Sequence, residues 1–482
     1  MVVNSINFWL FFAAVVVPYF LCFRGQRGQN LWLLLASYVF YGWADWKILT
    51  LLVGVTAVFY GLGIAIARNN ENNPRRASLL TTLGVVLGLG VLFYFKYFGF
   101  FVQEFTALFA SLGVPCGERT LDIVMPIGIS FFTFKLMGYV IEVHRQTVAA
   151  THDVVELALF IAFFPTILSG PIDRAASFLP QLQQRRRYSE SDVSEGLKRV
   201  LWGLFLKTCI ADVIAPWTTV VFSNYAHHNA TTILVAAPLY LIQLYTDFCG
   251  FSEMAIGVAR IMGLRVAENF QRPFFAKNVA GYWRRWHMSL TTWITDYVFM
   301  PLNVAFRDWG VRGLYAATML NLIAIGVWHG ANWTYFWFGA YHGLLLCIVT
   351  SLDKRRKRFE KAHHLKDNEL YAWSRRLLTF LCFTFGSVLF QAASVSDFLG
   401  TIARLGQGFG PLYSEEFSSL VIYALPATAL MFLREWAAEY RRDIHFMHSP
   451  NIIVRIVSIA LLISFIIYAG QLEGNSFIYF QF

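Results

Sequence analysis

Charge is scarce in this chain. Only 14% of its 482 residues are Asp, Glu, Lys or Arg, where a soluble chain carries about 25%. Apolar stretches recur along almost the whole length and the mean hydropathy is +0.52. Together these exclude a soluble domain with a single anchor and imply a polytopic membrane protein. Strict apolar–polar alternation is also missing. A membrane span must satisfy its own backbone groups, so the choice lies between helices and a closed barrel, and long unalternated runs select helices. The expectation is an all-α polytopic membrane protein forming one integral domain over residues 1–482, with roughly 11 spans plus re-entrant or interfacial pieces.

Other absences narrow the function. There are six cysteines, Cys22, Cys116, Cys209, Cys249, Cys347 and Cys382, and no Cys-x-x-Cys pair. They read as small buried residues rather than disulfides or metal ligands. No base-reading motif of a nucleic-acid binder is present, so the formal charge of +10 is assigned to topology, with Lys and Arg concentrated in short cytoplasmic loops. The first apolar run, Ile6 to Cys22, has neither a basic leader nor a small-residue cleavage signature, and reads as a retained span. There is no fixed-period repeat, and no paired halves with matching broken helices of the kind transporters show.

Basic loops orient the chain. Arg24/Arg27 and Arg68–Arg76 are separated by two expected spans, so both are assigned to the cytoplasm and the N-terminus to the outside. Gln183–Glu195, with Arg185-Arg186-Arg187, is the most soluble stretch of the first half and is also placed in the cytoplasm. Lys354-Arg-Arg-Lys-Arg358 is the most basic segment and is expected to be a loop. Arg441-Arg442 is assigned to the cytoplasm, which puts the tail around Tyr479 outside. Leu157–Leu168 is too short to cross, since about 20 residues are needed. It stops at Ser169-Gly-Pro, and so reads as a broken or re-entrant helix.

The chemistry is expected between Tyr282 and Trp333. His329 is a lone ionisable ring in the apolar run Leu322–His329. Intramembrane ionisable residues are costly and lean towards function, and a neutral buried imidazole suits a general base. The alternative is a histidine hydrogen-bonded across a helix pair. His287 follows Trp283, Arg284, Arg285 and Trp286; on a continuous helix Trp283 and His287 would share a face. The two arginines suit lipid headgroups or a phosphorylated ligand, and an interfacial Trp/Arg belt is the plainer reading. Asp247, Ser252 and Glu253 are polar groups at membrane depth that would line a tunnel. No Gly-x-Ser-x-Gly elbow surrounds Ser252, which argues against a serine triad. His287 and His329 lack partners at metal-ligand spacing, so no metal is expected. His342 in Tyr341-His342-Gly343 reads as a packing residue.

Several blocks, in this order, resemble the membrane-bound O-acyltransferase family in its bacterial polysaccharide branch. They are Ser169-Gly-Pro-Ile-Asp-Arg174, Asp247-Phe-Cys-Gly-Phe-Ser-Glu-Met-Ala-Ile-Gly257, Asn269-Phe-Gln-Arg-Pro273, Tyr282-Trp-Arg-Arg-Trp-His-Met-Ser-Leu290, Asp296-Tyr-Val-Phe-Met-Pro301, Gly326-Val-Trp-His-Gly330 and the C-terminal Phe-Ile-Tyr-Phe-Gln-Phe. The chain departs from the pattern at Cys249 and Phe251, where relatives more often carry Ser and Tyr.

The resemblance implies a ring of tilted helices around a central tunnel, with His329 catalytic and His287 a second functional position. It implies acetyl-CoA, or an acyl-carrier thioester, as a cytoplasmic donor and no tightly bound cofactor. Trp283, Trp286, Trp328, Arg284, Arg285, Asp247 and Ser252 become candidates for donor binding or tunnel lining. Tyr479 becomes a candidate acyl shuttle towards an extracytoplasmic transferase, or else an aromatic anchor. The expected activity is O-acetylation of an exported polysaccharide such as alginate, cellulose or peptidoglycan, from the bacterial inner membrane, with both termini outside. D-alanyl transfer to teichoic acid, a transporter and a non-catalytic scaffold of an export complex are the alternatives.

Overall fold

The computed structural model of the chain describes residues 3, 5–43, 45–113, 125–168, 170–441, 444 and 446–471. Regular structure among them is entirely helical. Eight of these helices are long and apolar enough to cross a membrane, fewer than the roughly 11 expected. Ile6–Leu21, Gln26–Gly42 and Ile129–His144 stop at 16, 17 and 16 residues, and Glu369–Gln391 carries Arg375 and Arg376 in its second turn. The eight differ in environment. The apolar windows of Glu190–Ser223 and Ala230–Ile261 are 78% and 83% buried, whereas those of Trp46–Asn70 and Pro74–Ser111 are 22% buried. The first pair is core; the second leaves most of its surface to lipid.

The chain divides into two compact units, Met1–Val200 with Ser252–Ala267, and Leu201–Phe251 with Glu268–Phe482. In the first unit, short polar side chains start the helices. Ser5 accepts from the Phe8 amide at 3.2 Å, Asp45 from Lys47 at 2.8 Å and Asn73 from Arg76 at 3.1 Å, each meeting an amide that has no partner within its helix. Pro74 then occupies the first turn, where its missing N–H costs nothing. From there the chain stays helical to Ser111 through a π turn at Phe93–Tyr97. The aromatic Tyr97–Leu112 stretch therefore extends a long lipid-facing helix.

The broken helix is present in this unit. Val154–Ala162 ends at Phe163, and a single turn, Phe164–Ile167, follows with Pro165 in its first turn. Backbone broken inside an apolar region needs replacement partners. The Phe164 amide donates to the Ser37 hydroxyl at 3.2 Å, and Lys135 Nζ donates to the Phe160 carbonyl at 3.2 Å and the Thr166 hydroxyl at 2.8 Å. Gly128 makes the approach possible: it has φ +80°, and a Cβ there would lie 2.4 Å from the Ile167 carbonyl oxygen. The middle residue of the Arg185–Arg187 run is not solvated. Arg186 is buried and donates to the Tyr19 hydroxyl at 2.9 Å and to Asn30 Oδ1 at 2.7 Å.

In the second unit the segment Lys354–Arg358 corrects the loop expectation, because it continues the Trp333–Ala362 helix. Ion pairs along one face hold it helical: Arg356 and Lys357 to Asp353 at 2.5 and 2.7 Å, and Arg356 to Glu360 at 3.5 Å, the i,i+3 and i,i+4 spacings that a helix brings together. The same helix packs against Val311–His329 through glycines. A Cβ on Gly326 would lie 2.1 Å from the Tyr335 carbonyl oxygen, and one on Gly339 2.4 Å from that of Leu322, so two backbones touch where only glycine fits.

Candidate active site

The second unit builds its site around two histidines. His329 is the last residue of the Val311–His329 helix, and extended backbone at Gly330 ends the helix there. His287 lies between two short helices, Val279–Trp283 and Met288–Ile294, and adopts φ +42°, ψ +52°. Trp283 and His287 are thus not one turn apart on a shared helix, as the sequence suggested. The break is imposed by the neighbouring strand of chain: the Gln271 amide donates to the Arg285 carbonyl at 3.0 Å, the Met288 amide to the Asn269 carbonyl at 2.8 Å and the Ser289 hydroxyl to Asn269 Oδ1 at 2.6 Å. A left-handed non-glycine residue costs about 1–3 kcal/mol and persists where its surroundings over-determine it. Here those bonds do so, and they aim the imidazole inward.

His287 and His329 are 1% and 5% exposed. Trp328 stands between them, with ring centroids 5.8 Å from His287 and 5.0 Å from His329. Phe248 meets His287 edge-on at 4.6 Å, and Phe390 meets His329 at 5.2 Å. Burial disfavours the imidazolium of His287 and pulls its pKa down to about 3, so it is neutral at physiological pH.

A third histidine extends the cluster. His342 is fully buried, 4.6 Å from Phe338 and 5.3 Å from Trp283 by ring centroids, and Phe338 also touches His329 at 6.2 Å. Sequence reasoning treated His342 as packing. It does pack, but among the described residues neither of its ring nitrogens has a hydrogen-bond partner, nor does Trp283 Nε1. Trp286 joins from the other side, stacked on Tyr282 at 5.5 Å and edge-on to Phe270 at 5.1 Å. The structure therefore gathers His287, His329, Trp283, Trp286 and Trp328 into one buried aromatic cluster.

The remaining expected residues lie elsewhere. Asp247 is held by Lys207, whose Nζ sits 2.7 Å from both Asp247 Oδ1 and Asp212 Oδ1. This buried triad was missed; its signal was Lys207 and Asp212 inside the apolar run Leu197–Val221, with Lys207 in the π turn Leu206–Ala211. Ser252 is buried in the first unit. Arg284 is exposed, and Arg285 pairs with Glu439 at 2.9 Å, which also takes Arg272 at 2.8 Å. Tyr479 lies outside the described residues. Among the described residues no cluster of three His, Cys, Asp or Glu is placed to hold a metal ion.

Buried imidazoles beside a tryptophan, in a helical membrane protein, are suited to moving a proton off a hydroxyl away from bulk water. The membrane-bound O-acyltransferase family model matches residues 131–391, which include His287, His329 and His342. The chain belongs to the membrane-bound O-acyltransferase family. It is 37% identical over 398 residues to the probable alginate O-acetylase AlgI of Pseudomonas aeruginosa, covering 81% of this chain and 72% of that protein. It is 28% identical over 405 residues to the peptidoglycan O-acetyltransferase of Helicobacter pylori, covering 77% and 72%. It is 30% identical over 304 residues to the teichoic acid D-alanyltransferase of Streptococcus thermophilus, covering 60% and 72%. This protein is a multi-pass membrane acyltransferase.

Proposed function

We propose that this acyltransferase moves an acetyl group from a thioester, with acetyl-CoA as donor, to a hydroxyl for O-acetylation of an exported cell-envelope polysaccharide. The observation that carries the reading is the pair of buried histidines on either side of Trp328. His329 accepts the proton of the attacking hydroxyl as its oxygen bonds to the thioester carbonyl carbon. The carbon–sulfur bond then breaks, and the thiolate leaves with the proton. His287, neutral and therefore carrying one N–H, donates to the developing oxyanion, where a preorganised donor in a dry site is worth about 3–4 kcal/mol. Arg284 is an exposed cation open to the donor's phosphates, and Arg285 beside it is paired with Glu439.

The acceptor class rests on the relatives named for alginate and peptidoglycan acetylation, which align with more of this chain than the D-alanyltransferase does. In this reading the protein sits in the inner membrane with both termini outside, and Tyr479 passes the acetyl group to a separate extracytoplasmic transferase. Transfer of D-alanine from a carrier protein is the second reading, favoured by the teichoic acid relative. Reconstituted protein supplied in parallel with radiolabelled acetyl-CoA and with D-alanyl carrier protein separates the two. Acetyl-CoA turnover with label retained on wild type and absent from Tyr479→Phe is the expected result; turnover of the D-alanyl thioester alone overturns it.

A further inference from the structure

The Glu369–Gln391 helix joins the aromatic cluster to a second group of side chains. Near its end Phe390 touches His329, and at mid-length Phe383 packs on His342 at 4.6 Å and Trp283 at 5.8 Å. Near its start is Arg376, 2% exposed. A guanidinium keeps its charge at any accessible pH and carries five N–H donors. Burying one is unfavourable unless charge and donors are both met. For Arg376 they are met in part. Nη2 donates to the Tyr440 hydroxyl, and the guanidinium carbon lies 4.5 Å from the Trp373 ring centroid and 5.3 Å from that of Tyr440. Among the described residues Nε and Nη1 have no hydrogen-bond acceptor. The nearest carboxylate to Nη1 is Glu369 at 3.8 Å, and it is 71% exposed. Glu439, beside Tyr440 in the chain, is already shared by Arg272 and Arg285. Three guanidinium charges thus meet around Glu439–Tyr440 against Glu439 and the exposed Glu369, an excess of one positive charge.

We propose that Arg376, together with Arg272 and Arg285, binds a phosphate group. A phosphate offers several acceptor oxygens and up to two negative charges, which match a buried fork with unmet donors and a local excess of cations. The inference deepens the reading of a thioester donor and rests on it, because such a donor carries phosphate; a phospholipid headgroup carries the same group. Arg376 and Phe390 are fourteen residues apart, about 21 Å along the helix. A ligand anchored at Arg376 reaches His329 only through an extended chain, which favours the donor over a lipid.

The test is binding, read without turnover, on the full chain in dodecyl maltoside micelles, which contain no phosphate. The probes are coenzyme A and pantetheine, the latter lacking phosphate. Wild type is expected to bind coenzyme A at least about tenfold more tightly than pantetheine, and Arg376→Gln to lose about tenfold to a hundredfold of the coenzyme A affinity with pantetheine unchanged. Arg376→Lys, which keeps the charge but not the fork, is expected to fall between them. Added phosphatidylglycerol that displaces coenzyme A from wild type, and not from Arg376→Gln, supports the phosphate site with lipid as its source. Equal wild-type affinity for the two probes overturns the proposal without needing any variant to fold, and so does an Arg376→Lys protein that folds and retains full discrimination. Acetyl transfer with an affinity indifferent to phosphate refutes this site alone. Arg376-dependent coenzyme A binding in a protein that transfers no acetyl group refutes the functional reading instead.

Discussion

Lys207 is held 2.7 Å from Asp212 and 2.7 Å from Asp247, with side-chain exposures of 1%, 1% and 5%. The triad sums to one negative charge. Lys207→Met removes the only cation and leaves two buried carboxylates facing the space it occupied. Breaking a buried ion pair by deleting one partner costs about 3–5 kcal/mol, and here the deletion strands two partners, so the upper end applies. Asp247→Asn acts the other way. It leaves Lys207 paired with Asp212, and the amide oxygen still accepts from the ammonium, so the cost is about 1 kcal/mol. The double variant Lys207→Met/Asp247→Asn leaves one carboxylate and falls between the two. Thermal unfolding in detergent, followed by size-exclusion chromatography, is expected to rank them wild type, Asp247→Asn, double variant, Lys207→Met, with a total span on the order of 10 °C. A Lys207→Met protein as stable as wild type, or a double variant less stable than Lys207→Met, refutes the argument.

The other predictions concern the site and the first unit. Gly326→Ala places a Cβ 2.1 Å from the Tyr335 carbonyl oxygen, so the helix pair must part; acetyl transfer is expected to fall with a lower unfolding temperature, and an unchanged protein refutes the close contact. Asp173 is buried and its carboxyl is pushed up to about 6, above its ordinary value of 3.8. A raised acid holds its proton more tightly when folded, so its contribution to stability is greatest below about pH 4 and is lost as pH rises towards 6. The stability of wild type relative to Asp173→Asn is therefore expected to fall by roughly 3 kcal/mol between pH 4 and 7, and a pH-independent difference contradicts this. His287, held near 3 by burial, shifts in the opposite sense for a base. Its cost to the folded state grows as pH falls below 6.5, so the wild-type acid-unfolding midpoint is expected to move to lower pH in His287→Phe. His287→Ala is expected to lower kcat by about a hundredfold to a thousandfold, measured as acetyl turnover.

The sequence carried the class of protein and most of the site because those features are local. A shortage of charge and long apolar runs are enough for a helical membrane protein. The shortness of Leu157–Leu168 and its stop at Ser169-Gly-Pro are enough for a broken helix, and a histidine closing an apolar run marks His329. What stayed hidden was set by partners far along the chain. Asp247 looked like a tunnel residue because Lys207, forty positions upstream (247 − 207), is invisible to local pattern. The left-handed turn at His287 comes from bonds to Asn269 and Gln271 rather than from its own neighbours. Arg186 sat in a basic run assigned to the cytoplasm and Arg376 drew no reading from its neighbours, and in both cases the structure buries the arginine against tyrosine. Lys354–Arg358 was mistaken for a loop because its charge was counted before its i,i+4 partners Asp353 and Glu360 were considered.

The central claim is that His329 takes the proton in acyl transfer. The direct test is single-turnover acetyl transfer from radiolabelled acetyl-CoA by reconstituted His329→Ala, alongside its unfolding temperature. The account predicts loss of thioester turnover in a protein that still folds, with His329 packed against Trp328 and Phe390 in the wild type. Normal turnover by His329→Ala would contradict it and make the histidine a packing residue of a scaffold.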